Sequence, residues 1–121
     1  MRILWDEPIV MDDGIVLRAD VCLPVGEGMF PAVASMGPYA RNLSFSGPPY
    51  TEMWNEMVNE HPDVPRGSTG KYQAWEVVDP EKWTADGYAV MRIDFRGAGA
   101  LRGRPRVLHL PGSPGDRKSV V

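Results

Sequence analysis

Hydrophobic positions recur along this chain with two different periods, and the changes of period mark its elements. From Ile15 to Leu23 apolar residues fall at every second place, at Ile15, Leu17, Ala19, Val21 and Leu23. Successive side chains of a strand point to opposite faces, so this alternation predicts a strand with one apolar face. Met11-Asp12-Asp13-Gly14 before it has turn chemistry, and Asp-Gly favours a hairpin. Pro8-Ile9-Val10 is then its short antiparallel partner. Pro31-Ala32-Val33-Ala34-Ser35-Met36 is a near-continuous apolar run between Pro and Gly breakers, the pattern of a buried strand. Gly37-Pro38-Tyr39 ends it.

The period then lengthens. Residues 42–49 carry Asn, Ser, Gly and a Pro48-Pro49 pair and read as loop. Tyr50 to Glu60 reads as a helix, with Met53, Trp54, Met57 and Val58 on one face and Glu52, Asn55, Glu56 and Asn59 on the other. Pro62 stops it, and residues 61–74 return to loop. Asp79-Pro80 opens a second helix, because Asp is a good N-cap and Pro suits the first helical position. Trp83 is expected to face inward, and Gly87 supplies the C-terminal stop. Tyr88 to Phe95 follows as a strand. A strand–helix–strand crossover is the parallel unit of α/β folds, so the fold class is α/β. Ligands of open α/β sheets bind beyond the carboxyl ends of the strands, and Tyr39 and Asp94–Gly99 fall at that rim.

Charge divides the 121 residues in two. Residues 1–99 hold 8 basic and 15 acidic residues. Residues 100–121 hold Arg102, Arg104, Arg106, Arg117 and Lys118 against Asp116 alone. This tail also carries Pro105, Pro111 and Pro114, and its only apolar cluster is Val107, Leu108 and Leu110. It offers little hydrophobic surface to offset its ordering entropy and reads as irregular. The whole chain has a formal charge of −3, which argues against nucleic acid as its main partner. The single cysteine, Cys22, allows no internal disulfide and points to a reducing compartment; it reads as a small buried hydrophobe in a strand. No apolar run has the length of a membrane span or the form of a signal peptide. The expected location is therefore cytoplasmic.

The candidate chemistry is sparse. Gly-x-Ser-x-Gly, the turn that exposes a nucleophilic serine, is absent. Its nearest imitation is Pro111-Gly112-Ser113-Pro114-Gly115, with Pro where the first Gly belongs. His61 caps a helix end, where a cation is favourable, and His109 lies in the tail. Neither has a serine or cysteine in an activating context. His61 and Asp63 are two metal-ligand types in one loop, too few to define a site, so no metal or cofactor is expected. Gly97-x-Gly99-x-x-x-Gly103 follows a strand as a dinucleotide-binding loop does. That reading needs a helix from residue 100, which Pro105 and the Arg–Gly alternation oppose.

Several separated segments together resemble one family. They are Met11–Asp20, Gly37-Pro38-Tyr39 with Arg41, Glu60–Val64, Val77–Trp83, Asp86–Val90 and Asp94-Phe95-Arg96-Gly97-Ala98-Gly99. In this order they resemble the start of the X-prolyl dipeptidyl-peptidase-like hydrolases, the family of the cocaine esterases and α-amino-acid ester hydrolases. The resemblance covers residues 5–99. It implies the N-terminal part of an α/β-hydrolase fold, an incomplete, mostly parallel sheet with a leading antiparallel hairpin. It also implies a serine hydrolase that cleaves ester or amide bonds through an acyl-enzyme, with Tyr39 as the hydroxyl donor of the oxyanion hole. The family's serine, acid and histidine lie far downstream of the segments matched here, so the chain alone is expected to be inactive.

After Gly99 the chain departs from the family pattern. The codons for Val107 to Lys118 can be chosen so that the +1 frame reads Tyr-Phe-Thr-Tyr-Leu-Ala-Ala-Arg-Glu-Thr-Glu, which resembles the family's next segment. The expectation is that residues 100–121 are out-of-frame translation. The alternatives are a non-catalytic binding or regulatory module and a nucleotide-binding domain on Gly97–Gly103. A sheet that stops after about four strands is further expected to leave its last strand as an exposed edge open to self-association, and the fold to be marginal.

Overall fold

Alternation and turn chemistry produce the hairpin that leads the fold. The computed structural model describes residues 1–37, 41 and 43–96. Strand β1 (Arg2–Val10) runs antiparallel to β2 (Val16–Leu23), from Arg2 opposite Leu23 to Val10 opposite Val16. Gly14 makes the turn at φ 79°, a conformation open to Gly at little cost, and its N–H donates to the Met11 carbonyl at 2.9 Å. β1 is longer than the Pro8–Val10 expected, and Asp6 explains the difference. Leu4 pairs with Val21 and Glu7 with Ala19, so Trp5 and Asp6 together oppose Asp20 alone. This is a β-bulge, and Asp6 absorbs it with φ 57°. Pro8 is compatible with the ladder because β1 lies at the edge of the sheet.

The sheet has the order β1-β2-β4-β3. β4 (Ala89–Asp94) lies antiparallel to β2 and parallel to β3 (Ala32–Gly37). The sheet is therefore mixed, and its parallel pair is the one joined by the helical crossover. The last described strand is not an edge: β4 sits between β2 and β3, and its run Ala-Val-Met-Arg-Ile-Asp suits an interior position. Among the described residues the two edges of the sheet are β1 and β3. The expectation that Pro31–Met36 forms a buried strand is corrected accordingly. No residue of β3 is fully buried, and Met36 is 50% exposed. An apolar run is suited to cover on both faces, but among the described residues only β4 pairs with β3.

Register assigns the faces. Leu17 and Ala19 of β2 share one face with Met91 and Ile93 of β4 and with Ala34 and Met36 of β3. Asp20 and Cys22 point the other way, with Val90, Arg92 and Asp94. Leu17 and Ala19 are buried as the alternation implied, Val21 and Leu23 are half-buried, and Ile15 at the hairpin mouth is exposed. Asp20 and Cys22 are buried as well, so β2 is covered in part on both sides.

The two helices play unequal parts. Helix α2 (Pro80–Ala85) packs against β4 and β2. Its caps follow the sequence closely. Asp79 accepts from the Glu81 N–H at 3.1 Å, and Pro80 occupies the first turn. At the other end Tyr88 N–H donates to the Trp83 carbonyl and Gly87 N–H to that of Thr84, with Gly87 at φ 89°. These are the two bonds of a Schellman motif, and its usual apolar contact is present as Trp83 against Tyr88, centroids 5.2 Å apart. Trp83 is thus 37% exposed rather than directed inward, because it serves this helix stop and not the sheet.

Helix α1 (Thr51–Glu60) touches none of the described strands and has no buried residue. Its apolar face rests on loops. Trp54 meets Phe45 edge-on at 5.7 Å, and Phe45 lies 4.4 Å from Trp75 and 6.4 Å from Tyr50. Phe45 is buried, so this aromatic cluster forms a small second core. His61 closes α1, its N–H donating to Met57 O at 2.8 Å. Residues 64–70 are tied to α2. Glu81 accepts from Ser68 Oγ at 2.7 Å and from Thr69 N–H at 2.8 Å, and Lys82 Nζ donates to Val64 O.

Candidate functional site

One guanidinium joins four parts of the sheet. Arg41 stands just beyond β3, and its Nε donates to Asp94 Oδ2, at the end of β4, at 2.7 Å. One terminal nitrogen donates to Asp20 Oδ1 of β2, and the other to Asp6 Oδ1 of β1 at 2.8 Å. The bulge adds to the same network. Asp6 N–H donates to Asp20 Oδ1 at 2.9 Å, and the Asp6 carbonyl accepts from Arg18 at 3.0 Å. A planar fork with several fixed donors suits such a junction better than the point charge of a lysine.

The three ion pairs differ in weight. The side chains of Arg41, Asp20 and Asp94 are 8%, 10% and 6% exposed, whereas Asp6 is 59% exposed. The pairs to Asp20 and Asp94 are therefore desolvated, and the pair to Asp6 is screened by water. Burial alone would lower the Arg41 pKa, but the hydrogen bonds to Asp94 and Asp6 outweigh it and raise it further. Asp94 Oδ1 is buried without a partner among the described residues.

Beside the clamp lies a cavity of about 190 Å³, lined by Trp5, Asp20, Cys22, Arg41, Tyr72 and Arg92 among others. Cys22 is the small buried thiol that the sequence implied. Burial raises its pKa, and Asp20 adds to the shift against an opposing pull from Arg92. Arg92 is pushed the opposite way, below its ordinary value, chiefly by burial. One of its terminal nitrogens donates to the Val78 carbonyl at 3.2 Å, while its buried Nε has no partner among the described residues.

Tyr39, the oxyanion donor implied by the resemblance, lies outside the described residues, two positions before Arg41. Gly97, Gly99, Gly103, His109 and Ser113 also lie outside them. His61 and Asp63 are both exposed, and among the described residues no group of three or more His, Cys, Asp and Glu side chains is placed to hold a metal ion. No helix among them is long and apolar enough to cross a membrane. At the rim of β4, Arg96 pairs with Asp13 of the hairpin turn. The hydrogen bond from Arg96 is the main reason the Asp13 carboxyl lies below its ordinary pKa.

Reading the residues one by one did not single out the clamp. Arg41 and Asp20 entered only as letters of separate family segments, and Asp94 also as part of the rim beyond the last strand. A signal was present at Asp20, a carboxylate between Ala19 and Val21 in a strand, since such a residue is rarely buried unless paired.

The X-Pro dipeptidyl-peptidase (S15 family) matches residues 13–121, a span that includes the basic tail. Two crystal structures of a CocE/NonD family hydrolase from Staphylococcus aureus are similar to the fold, with TM-scores of 0.61 and 0.60 and identities of 25% and 24%. In both cases 84% of this chain is covered, but only 16% of the hydrolase. No curated protein matches the chain.

Proposed function

The chain belongs to the X-Pro dipeptidyl-peptidase family, and we propose that it is the N-terminal part of an α/β-hydrolase that cleaves ester or amide bonds through a serine acyl-enzyme. The observation that carries this reading is the Arg41 clamp. Three strands hold Arg41, two positions after Tyr39 of the Gly37-Pro38-Tyr39 segment. A hydroxyl that stabilises a developing oxyanion needs a backbone fixed beforehand, because preorganised donors cost no rearrangement at the moment of reaction. In this reading Tyr39 is that donor, and the clamp holds Arg41 two positions after it.

The chain supplies a donor without a nucleophile. An acyl-enzyme needs an activated serine, and the Gly-x-Ser-x-Gly turn that exposes one is absent from these residues. The chain spans 16% of the length of the hydrolases it resembles, and the catalytic triad belongs to the remainder in this proposal. The buried free thiol suits the reducing cytoplasm. A fluorophosphonate probe, which marks activated serines, tests the reading: the purified chain should stay unlabelled. Labelling that survives in the native chain and vanishes on denaturation would refute the division of roles.

A further inference from the structure

We propose that Asp13 is a site of spontaneous backbone isomerisation to isoaspartate, and that its ion pair with Arg96 holds this reaction off in the folded chain. In an Asp-Gly sequence the Gly nitrogen can attack the preceding side-chain carboxyl, because Gly has no Cβ to hinder the approach. The sequence holds two such pairs, Asp13-Gly14 and Asp86-Gly87. At the first, the new bond joins Gly14 N to Asp13 Cγ. The carboxyl hydroxyl and the amide proton leave as water, and a five-membered imide remains. Water then adds back. Breaking the new Cγ–N bond restores aspartate. Breaking the original peptide bond instead leaves the main chain running through Cγ, one methylene longer. No reactant but water enters or leaves.

The attack needs a neutral carboxyl that can give up one oxygen as hydroxyl. At Asp13 both oxygens are engaged in the ionised form: Oδ1 accepts from the Ile15 N–H at 3.1 Å, and Oδ2 accepts from Arg96. A charge-assisted bond of this kind opposes protonation. The Ile15 bond is local to the turn, as is the Gly14 N–H bond to the Met11 carbonyl. Arg96 comes from 83 positions away, just past β4, so the protection it gives exists only in the folded chain. Asp86-Gly87 serves as a gauge within the same molecule. Gly87 N–H also donates to a carbonyl, that of Thr84 at 3.1 Å, and φ is 89° there against 79° at Gly14. The two glycines are held alike, and the carboxylates differ: of the two, among the described residues, Asp13 has a guanidinium within ion-pair distance. Isomerisation at Asp13 would insert its extra methylene between β1 and β2, where Met11 N–H donates to the Ile15 carbonyl at 2.8 Å. It would also move the carboxylate away from Arg96 and loosen the hairpin turn from the end of β4.

Peptide mapping of the full chain aged at mildly acidic pH tests the proposal, with isoaspartyl peptides separated chromatographically from their aspartyl isomers. In the parent, Asp13 should convert several-fold more slowly in the folded chain than in urea. Arg96→Met should raise the folded rate at Asp13 toward the rate in urea, with the far-UV spectrum retained and the rate at Asp86 unchanged. If that variant loses its fold, salt decides without a substitution. The side chains of Arg96 and Asp13 are 41% and 50% exposed, so the pair is open to screening. Asp13 of the parent should then convert faster in about 1 M sodium chloride than in dilute buffer, with Asp86 again unchanged. Equal rates at Asp13 in the folded parent and in urea would overturn the proposal. So would a rate at Asp13 untouched by Arg96→Met in a folded chain, a rise shared equally by Asp86, or, where the variant unfolds, a rate untouched by salt.

Discussion

Arg41 and Asp94 lie 53 positions apart in sequence and meet through a 2.7 Å Nε–Oδ2 hydrogen bond in a nearly dry environment. The contact ties the chain leaving β3 to the end of β4. Removing the cation would leave Asp20 and Asp94 buried without their counter-charge, a change that typically costs about 3–5 kcal/mol. Arg41→Met should therefore lower the urea midpoint sharply or abolish the cooperative transition. Asp6→Ala, at the water-exposed end of the same network, should cost about 1 kcal/mol or less. Equal effects of the two substitutions would contradict the weighting given to the three pairs.

Gly70 and Trp54 lock the second core. Gly70 has φ 72°, and a Cβ placed on it would lie 2.5 Å from Cζ2 of the Trp54 indole. Gly70→Ala combines a strained backbone with a clash against a large ring. A loss of about 1–3 kcal/mol is expected, with a changed near-UV signal as the indole moves off Phe45. An unchanged melting curve would show that α1 and its loop contribute nothing to the cooperative fold.

The Glu81 carboxylate gives the loop at residues 64–70 a pH dependence. Its burial raises the pKa, but the hydrogen bonds from Ser68 and Thr69 outweigh it and hold the group below its ordinary 4.5. A depressed carboxylate contributes stability above its unfolded pKa and loses it as pH falls through the folded value. The Glu81 contribution should be complete at pH 6 and fade below about pH 4.5, with a size of about 1 kcal/mol or less after solvent screening. Glu81→Gln should lower the melting temperature at pH 6 and narrow its gap to the parent at pH 3. A gap that stays constant with pH would exclude the carboxylate as its source.

Cys22 is 6% exposed, and burial holds its thiol above its ordinary pKa. The thiolate is the reactive form, so both effects slow alkylation. Iodoacetamide at pH 8 should label the folded chain far more slowly than the chain in urea. Similar rates would mean that the cavity beside Arg92 admits the reagent freely.

Local rules made much of the fold legible. The hairpin turn at Gly14, the Asp79-Pro80 start and the Gly87 stop each depend on a few adjacent residues, and each was readable. The extent of β1 was hidden because Asp6-Glu7-Pro8 resembles a turn, whereas the structure uses it as a bulge on an edge strand, where Pro is tolerated. The exposure of β3 was hidden for a different reason. Its apolar run states which environment it suits, not whether neighbours supply that environment. Trp83 was misjudged because an aromatic residue on a short helix can serve a cap as well as a core. The clamp needed topology: positions 6, 20, 41 and 94 meet only once the order β1-β2-β4-β3 is known.

The most direct test of the proposed division of roles is hydrolysis of p-nitrophenyl acetate by the purified chain, measured beside a Tyr39→Phe variant and heat-denatured chain. A donor with no nucleophile has no covalent step to assist, so all three rates should coincide. A native rate clearly above both controls would contradict the account and place a working nucleophile within these 121 residues.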